Sequence, residues 1–405
     1  MLKVDTSRSG GALGRARQCS RQVAACLFAL AAAGCVGNTE PNFSQYPGFA
    51  DYFRTNPRAE TRPDAAERAL LREHRPRLFV ANGAEGPIDF YRDYVAHGRL
   101  IGPDGRVVSR DVTRAVLNRW RDRPLAVFEH EPTDADASPA AYGRVDRGHL
   151  PGMGPVTFLT WHFVFRHSGL PADIAAPLEW GAAVLADRGD WHQLDHYTAV
   201  TLALDSSGKP FALMLMQHNY KRTYLLGRDL VLPPDRRPRI AAAVRSNELY
   251  PARDGETRRE RGVRFIDAEG SVDWLTLGEG GDLSTFHDVI RPEREVDYAL
   301  RFLPPDDALY SFQGYLGERR LLPGRDGPPG ADYDTLPPLQ SLPRQLVAFA
   351  WRPGHPQDLR RRLALARPDN GGERFRALAA EFAESVAVAR SDQTTQLQAP
   401  EVSGR

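Results

Sequence analysis

The sequence predicts a mainly β protein, an antiparallel β-sandwich of jelly-roll type with helical additions at its N- and C-terminal ends. Segments of bulky β-branched and aromatic residues recur at strand-like lengths through the middle of the chain, beginning with Pro155–His167. Short polar turns separate these segments, as in sandwiches of antiparallel strands. Near the C-terminus, Glu373–Arg390 instead repeats apolar residues at the spacing of an amphipathic helix.

The first 34 residues are predicted to form a lipoprotein signal peptide. Basic residues precede a short apolar run, Val23–Ala33, which is shorter than the roughly 20 residues needed to span a bilayer. The run leads into Ala32-Ala33-Gly34-Cys35, which resembles the site where a bacterial signal peptidase cuts before a cysteine that is lipidated. The alternatives are an ordinary signal peptide or an uncleaved apolar stub. We therefore predict lipidation at Cys35.

The cysteines and the residue after Cys35 predict a location. Cys19 and Cys26 would leave with the signal peptide, so the mature chain would keep Cys35 alone and form no internal disulfide. Val36 stands where inner-membrane lipoproteins commonly have aspartate. We expect a protein anchored by lipid to the bacterial outer membrane without spanning it, with its body in the periplasm.

The charge balance excludes one class of partner. The chain has 53 basic and 52 acidic residues, and removal of residues 1–34 leaves 48 and 51. A slightly acidic chain is not a general nucleic-acid binder. The expected partners are the membrane, through the lipid, and an envelope protein or a small-molecule ligand.

The N-terminal half is predicted to contain a lipidated tether, residues 35–63, followed by the sandwich domain, residues 64–322. The polar, proline-bearing composition of residues 36–63 indicates the tether. Asp111–Trp120 reads as a helix with Asp111 or Ser109 as its N-cap. Three further elements are expected: a helix over Asp64–His74, a strand over Arg77–Ala81, and a hairpin at "IGPDGRVV".

In the middle of the chain, Thr198–Leu204 and Phe211–Gln217 are predicted to pair antiparallel across a tight turn. In that hairpin, positions whose numbers sum to about 413 or 414 would face one another. The charged segment Arg253–Gly262 is expected to be a solvated loop, and Ser284–Asp288 a turn.

The C-terminal part is predicted to begin with a Pro/Gly-rich linker, residues 323–343. The segment after it, residues 344–390, would pack on the main domain as a strand at Gln345–Trp351 and two helices, Gln357–Ala366 and Glu373–Arg390. The second helix has one apolar face, formed by Phe375, Leu378, Ala379, Phe382 and Val386. Residues 391–405 are polar and predicted to be a disordered tail.

Common catalytic signatures are absent from the sequence, including the GxSxG elbow, the HExxH zinc helix, the P-loop and GxGxxG. The chemistry-bearing stretch is instead "GDWHQLDHYTAVTLALD". Strand alternation places His192 and His196 on one side, but about 13 Å apart if extended, which is too far for two ligands of one ion.

A residue from the next strand would complete the predicted site. The expected hairpin brings His218 opposite Asp195–His196, with Asp190 and His192 just beyond. We therefore predict a divalent metal site of His192, His196, His218 and Asp190 at the open end of the sandwich. The alternative is that these residues hydrogen-bond one another and cap strand ends. A weaker candidate, for calcium, is the acidic loop Phe128–Asp136.

The order of segments resembles a β-sandwich superfamily that contains necrosis-inducing secreted proteins and eukaryotic vacuolar-sorting-associated proteins with a Gly-Asp-Trp-Glu motif. The similar region is about residues 152–251, from "TFLTWHFVF" through "GDWHQLDHYTAVTLAL" and "QHN" to "RPRIAAAVRSNELYP". Asp190 and Trp191 match the Asp-Trp pair, and His192 stands where the family has glutamate. His218 matches the histidine of the next strand, and Ser246 matches a later serine.

The resemblance implies a β-sandwich but not the family's metal set. The necrosis-inducing proteins have histidines directly before Asp-Trp-Glu and use this neighbourhood for a divalent metal. Here the corresponding residues, 186–189, are Ala-Asp-Arg-Gly, and Asn247 replaces the histidine after Ser246. Toxin-like membrane damage is therefore not carried over.

Two functions remain from different classes. The first is a lipid-anchored envelope protein that acts as a binding or structural module through the loop end of its sandwich. The second is a metal-dependent, hydrolase-like enzyme that uses the predicted His/Asp site.

Overall fold

The structure is a computed structural model, and it describes residues 46–131, 137–167, 169, 194–196, 198–217, 220–253, 255–263, 285–317, 330, 337–349 and 371–398. Within these ranges the strands are β1 Arg77–Val80, β2 Gly98–Ile101, β3 Val107–Ser109, β4 Val127–His130, β5 Ala140–Leu150, β6 Gly154–Phe163, β7 Ala199–Asp205, β8 Pro210–Gln217, β9 Tyr220–Leu225, β10 Arg239–Ala242, β11 Leu249–Pro251, β12 Arg258–Val263, β13 Thr285–Ile290, β14 Arg294–Val296 and β15 Ala299–Arg301.

The α-helices of the described ranges are α1 Ala50–Thr55, α2 Ala65–Glu73, α3 Arg114–Arg119, α4 Ala308–Ser311, α5 Pro338–Phe349 and α6 Gly371–Gln398. A 3₁₀-helix, Pro47–Phe49, precedes α1, and a π-helix spans Phe90–Val95. In this part of the chain, no helix is both long enough and apolar enough to cross a bilayer.

The strands form four sheets, which confirms a mainly β protein with several antiparallel sheets. The largest has six strands in the order β15-β5-β6-β7-β8-β9, and the next has four in the order β11-β10-β1-β14. The three-stranded sheet β3-β2-β4 contains the predicted hairpin, and β12 pairs with β13. Two neighbouring pairs, β1 with β10 and β15 with β5, are parallel, which the antiparallel prediction did not anticipate.

One face of the six-stranded sheet contributes to the largest apolar cluster. Trp161, Leu202 and Leu213 from this sheet belong to one buried cluster with Leu78 and Ile240 of the four-stranded sheet. Alternate residues of a strand face opposite sides. The neighbouring side chains in the six-stranded sheet therefore face away from the four-stranded sheet.

The opposite face of the six-stranded sheet is covered by helices. Phe158 and Met214 from the sheet share a buried cluster with residues of α5 and α6. In α6 the predicted apolar face is confirmed, since Phe375, Ala379, Phe382 and Val386 are buried and Leu378 is half-buried. The expected disordered tail is wrong up to Gln398, because α6 continues to that residue.

The described part of the predicted tether is folded. Phe49 is fully buried, and its ring centroid lies 5.5 Å from that of Phe375 in α6. The ring of Tyr52 packs edge-on at 4.7 Å from the same phenylalanine. The prediction of a tether over residues 35–63 is therefore wrong from residue 46 onwards, because these aromatic residues bury against the C-terminal helix.

Helices α2 and α3 were predicted, but the N-cap of α3 was predicted wrongly. The side chain of Asp64 accepts from the backbone of Glu67, and the Glu67 carboxylate accepts from the backbone of Asp64, which forms a capping box for α2. The N-cap of α3 is Thr113, not Asp111 or Ser109. Ser109 and Asp111 instead hydrogen-bond each other, which leaves the capping position to Thr113.

Two polar segments that were expected to be irregular are strands. Arg258–Val263 overlaps the second half of the predicted loop Arg253–Gly262, and Thr285–Ile290 covers most of the predicted turn Ser284–Asp288. They pair antiparallel with each other, from Arg258 opposite Ile290 onwards. Both predictions were wrong because the pairing joins segments that are distant in the sequence and carry no apolar alternation.

The segment Pro338–Phe349 is a helix, so the predicted strand at Gln345–Trp351 is wrong, as is the end of the predicted linker at residue 343. Leu339, Leu342 and Leu346 are all buried and follow helical i, i+3 and i+7 spacing. Pro343 lies inside this helix. The predicted helix Gln357–Ala366 lies outside the described residues.

Candidate functional site

The structure describes one of the four predicted metal ligands. His196 is fully buried, and its Nε2 lies 2.8 Å from the carbonyl oxygen of Gly330. Asp190, His192 and His218 lie outside the described residues, as does the predicted lipidation site Cys35. No group of three or more histidine, cysteine or acidic residues within the described ranges is arranged to hold a metal ion.

The observed register of the β7–β8 hairpin differs from the expected one. Opposite residues in β7 and β8 include Val200 with Leu215 and Leu202 with Leu213, so their numbers sum to 415. The expected sum of 413 or 414 holds for Leu204 with Pro210, but a bulge between Ala203 and Leu204 shifts the register beyond that pair.

Asp195 is satisfied by neighbouring polar groups. Its Oδ1 accepts from the Thr198 hydroxyl at 2.6 Å, and its Oδ2 accepts from Asn247 Nδ2 at 3.3 Å. Its backbone pairs with that of Phe165 in both directions. For this residue the hydrogen-bonding alternative therefore accounts for the buried carboxylate.

Ser246, which the resemblance matched to a serine of the family, belongs to a second buried hydrogen-bond network. The Ser246 hydroxyl donates to Asp288 Oδ1 at 2.9 Å, and the Tyr250 hydroxyl donates to Asp288 Oδ2 at 2.7 Å. Burial raises the pKa of Tyr250 well above its usual value, and the nearby carboxylates of Glu248 and Asp288 raise it further. Asn247 occupies the left-handed region with φ 58°, which turns the chain between β10 and β11.

The other sequence candidates have structural positions where they are described. Trp161 is fully buried, and its Nε1 donates to the Leu71 carbonyl at 3.2 Å. Phe128–His130 belongs to β4, and residues 132–136 of the proposed calcium loop lie outside the described residues.

A different set of polar residues lies on the helix-covered face of the six-stranded sheet. Cross-strand pairs share a face, and the register joins Arg144 to Thr160 and Thr160 to Thr201. Alternation then adds Asp146 and His162, and the β8–β9 pairing adds Lys221. We call this set the sheet-face cluster: Arg144, Asp146, Thr160, His162, Thr201 and Lys221, each at most 4% exposed.

Several contacts hold the sheet-face cluster together. The Thr160 and Thr201 hydroxyls lie 3.0 Å apart, and Lys221 Nζ donates to the Ser341 hydroxyl in α5 at 3.0 Å. The guanidinium of Arg144 lies 4.5 Å from the ring centroid of Tyr310 in α4. The ring of His162 meets the same tyrosine edge-on at 5.2 Å. Helices α4 and α5 thus contribute Tyr310 and Ser341 to the cluster.

Burial controls the protonation of this cluster. It raises the pKa of Asp146, while the positive charges of Arg144 and Lys221 oppose that rise. Burial also lowers the pKa of His162 well below its usual value, and the same two charges lower it further. Outside the cluster, burial lowers the pKa of His196 to about 4. Both histidines are therefore neutral at pH 7.

Two residues of the cluster, one acidic and one imidazole, have a buried atom without a hydrogen-bond partner in the described structure. These atoms are Oδ2 of Asp146 and Nδ1 of His162. Leaving a buried donor or acceptor unsatisfied costs about 1–3 kcal/mol, so native proteins rarely retain such atoms without another role. Perturbed pKa values with desolvation as the main cause are also a feature of functional sites. These two residues make the sheet-face cluster the best candidate site.

Sequence reasoning missed this cluster, although two signals point to it. Residues 142, 144 and 146 are polar and alternate with Ala141, Gly143 and Val145, which is the pattern of a strand with one polar face. Lysine occurs only at Lys3, Lys209 and Lys221 in a chain that otherwise uses arginine. One of these rare lysines is the cluster's ammonium group.

Comparisons with known proteins add little to this geometry. No family model matches the chain, and no curated protein matches it. Among solved structures it is similar to NLPPya in complex with mannosamine, a necrosis-inducing-like protein, at 14% sequence identity. That match covers 49% of this chain and 74% of the other, with a TM-score of 0.23, which is too low to carry an argument about function.

Proposed function

We propose that this protein is a lipid-anchored envelope protein that acts as a binding module, holding a small polar ligand at the sheet-face cluster. The observation that carries the proposal is the pair of buried, unsatisfied atoms, Asp146 Oδ2 and His162 Nδ1. A ligand that hydrogen-bonds either atom would reduce the cost of burying it. The proposal also takes the six-stranded and four-stranded sheets as the two layers of a sandwich, since their facing side chains share one apolar cluster.

The two atoms set requirements on the ligand. An ionised Asp146 only accepts hydrogen bonds, so the ligand must present a hydroxyl or amino donor to it. A neutral imidazole donates from one nitrogen and accepts at the other, so His162 pairs with either kind of group, depending on its tautomer. The ring of Tyr310, which contacts both His162 and Arg144, would form one wall of the site.

Native mass spectrometry of the purified chain tests for this ligand. We expect a small molecule that co-purifies with the chain and is lost in His162→Phe and Asp146→Leu variants, which replace the polar atoms with apolar ones. Asp288→Asn is the matched control, because this buried carboxylate already has hydrogen bonds at both oxygens. Its variant should retain the ligand, although it is less stable.

The binding proposal fails if the wild-type chain carries no additional mass after gentle purification and its Tm does not change with polar metabolite extracts. It also fails if Asp288→Asn loses the ligand as completely as His162→Phe. Circular dichroism of each variant separates loss of the site from loss of the fold.

The anchor is tested separately from the ligand. We expect Cys35→Ala to abolish lipidation and to remove the protein from the outer-membrane fraction, since the proposed anchor is the lipid on this cysteine. Metabolic labelling with a fatty-acid analogue and fractionation measure both effects. Unchanged processing and membrane attachment in Cys35→Ala would refute the anchor.

A further inference from the structure

A short sequence, Arg-Pro-Arg followed by a β-branched or leucine residue, occurs twice in the chain, at residues 75–78 and 237–240. The two copies begin β1 and β10, which are parallel neighbours with Arg77 opposite Arg239. Parallel pairing brings both copies to the same end of the four-stranded sheet. Four arginines from two distant parts of the sequence therefore lie at this end of the sheet, which we call the arginine edge: Arg75, Arg77, Arg237 and Arg239.

The prolines explain how this edge is held. A residue before proline is restricted to extended conformations, so each strand is straightened before its ladder begins. The Arg77 backbone N–H donates to the Pro238 carbonyl at 2.8 Å. Arg237 Nε donates to the Arg75 carbonyl at 2.8 Å, which fixes one copy against the other.

A surface pocket of about 330 Å³ opens at this edge, and Arg75, Pro76, Arg237, Glu295, Val296, Asp297 and Tyr298 line it. Arg75 forms one wall. Its guanidinium lies 4.1 Å from the ring centroid of Tyr298, and it donates to the Tyr298 carbonyl and, at 3.0 Å, to Asp297. This arginine is therefore held in place before any ligand arrives.

The acidic residues of the pocket are already neutralised. Arg77 binds both carboxylate oxygens of Glu295, and Arg75 pairs with Asp297. Hydrogen bonding from Arg77 lowers the pKa of Glu295, and the positive charges of Arg237 and Arg239 contribute to this lowering. The edge is thus electropositive despite its two carboxylates.

Arg237 differs from its neighbours. Its side chain is half-buried, and its hydrogen bond through Nε leaves the two terminal nitrogens of the guanidinium for other partners. Among the residues that the structure describes, no carboxylate forms an ion pair with it. A planar guanidinium with two terminal N–H groups pairs well with the oxygens of a phosphate group.

We propose that this pocket binds a phosphate group, with Arg237 as the main ligand-binding residue and Arg75 beside it. The phosphate could come from a free phosphate compound or from a phospholipid headgroup at the membrane. This site is separate from the sheet-face cluster, so it stands or falls independently of the ligand proposed there.

The test measures binding of inorganic phosphate by isothermal titration calorimetry, and binding of vesicles of phosphatidylglycerol or phosphatidylcholine by flotation. The mature chain carries Cys35→Ser in the flotation assay, so that lipid insertion does not mask weaker binding. We expect Arg237→Gln to weaken phosphate binding about tenfold, the loss expected for a charge-assisted hydrogen bond. Arg236→Gln is the matched control, because it removes the same charge from an adjacent exposed arginine that does not line the pocket.

Each outcome decides the proposal. Binding of free phosphate that depends on Arg237 supports a soluble phosphate ligand. Binding of phosphatidylglycerol vesicles alone, with the same dependence, supports a lipid headgroup. The proposal is overturned if the folded wild-type chain binds neither probe, or if Arg236→Gln weakens binding as much as Arg237→Gln, since that would indicate only non-specific charge attraction.

Discussion

At the scale of single residues, the sheet-face cluster shows how a β-sheet can hold polar groups inside a protein. Thr160 and Thr201 sit directly opposite each other on adjacent strands and satisfy each other through one hydrogen bond of 3.0 Å. Asp146 and His162 lie on the same face without such partners for Oδ2 and Nδ1 in the described structure. The threonine pair therefore has a structural role, whereas Asp146 and His162 are the residues to which we assign ligand binding.

The threonine pair predicts strong non-additivity. Thr160→Val should cost about 1–3 kcal/mol, because it leaves the Thr201 hydroxyl buried without its partner. Thr201→Val should cost about the same, while the double variant should cost clearly less than the sum, since both hydroxyls are then gone. Urea unfolding of the three variants measures the coupling, and simple additivity would show that the two hydroxyls do not depend on each other.

At the scale of secondary-structure elements, α6 is stabilised by one face only. Phe382 is buried and packs edge-on against Phe211 of β8 at a centroid distance of 6.3 Å, whereas Val388 on the same helix is 52% exposed. Because burial rather than helix propensity stabilises such a helix, the two residues should respond very differently to truncation.

We expect Phe382→Ala to lower the free energy of unfolding by about 3–5 kcal/mol, the usual cost of removing a buried phenylalanine. Val388→Ala serves as the control and should change it by at most about 0.5 kcal/mol. Chemical denaturation measures both. Equal effects of the two substitutions would mean that α6 does not pack on the sheet through this face.

The elements also show which local patterns predict structure well. The helix at Ala65–Glu73 and the apolar face of α6 were predicted because the helical spacing of apolar residues is a property of neighbouring residues. The strands β12 and β13 were missed, since their partners are distant in sequence. The α5 helix was read as a strand because its leucines span a proline-rich boundary.

At the scale of the whole molecule, neutral buried histidines couple stability to pH. Burial lowers the pKa values of His130 and His196 to about 4, compared with about 6.5 in an unfolded chain. At a pH between about 4 and 6.5, these two histidines therefore bind protons in the unfolded state but not in the folded state. The resulting stabilisation is fully present above pH 6.5 and is lost as the pH falls from about 6.5 toward 4.

We expect the free energy of unfolding to fall by about 1–3 kcal/mol per histidine between about pH 7.5 and pH 5. In His196→Gln this decrease in the free energy of unfolding should be smaller by the contribution of one histidine. At pH 7.5 the variant should be less stable than wild type only because it loses the packing of the imidazole and its contact with Gly330. Urea titrations at the two pH values provide the measurement. An identical pH slope in His196→Gln and wild type would contradict a neutral buried His196.

The candidate site illustrates what a sequence cannot supply at this scale. The histidines of "GDWHQLDHY" led to the prediction of a metal site, which relied on an expected register between β7 and β8. A bulge between Ala203 and Leu204 makes the observed register different. The sheet-face cluster combines β5, β6, β7 and β9 with α4 and α5. Polar alternation in β5 was visible in the sequence, whereas its partners became visible only once the strand order was known.

The parallel pairing of β1 with β10 has a consequence for how the chain is made. Leu78 lies opposite Ile240 and Val296, which are both far along the chain. The backbone of β1 can therefore be paired only after most of the polypeptide has been synthesised. Sheets of this kind fold slowly, and an unpaired apolar strand invites aggregation during synthesis. Until residues 239–242 and 294–296 are available, β1 is therefore an unpaired apolar strand that must be kept from aggregating.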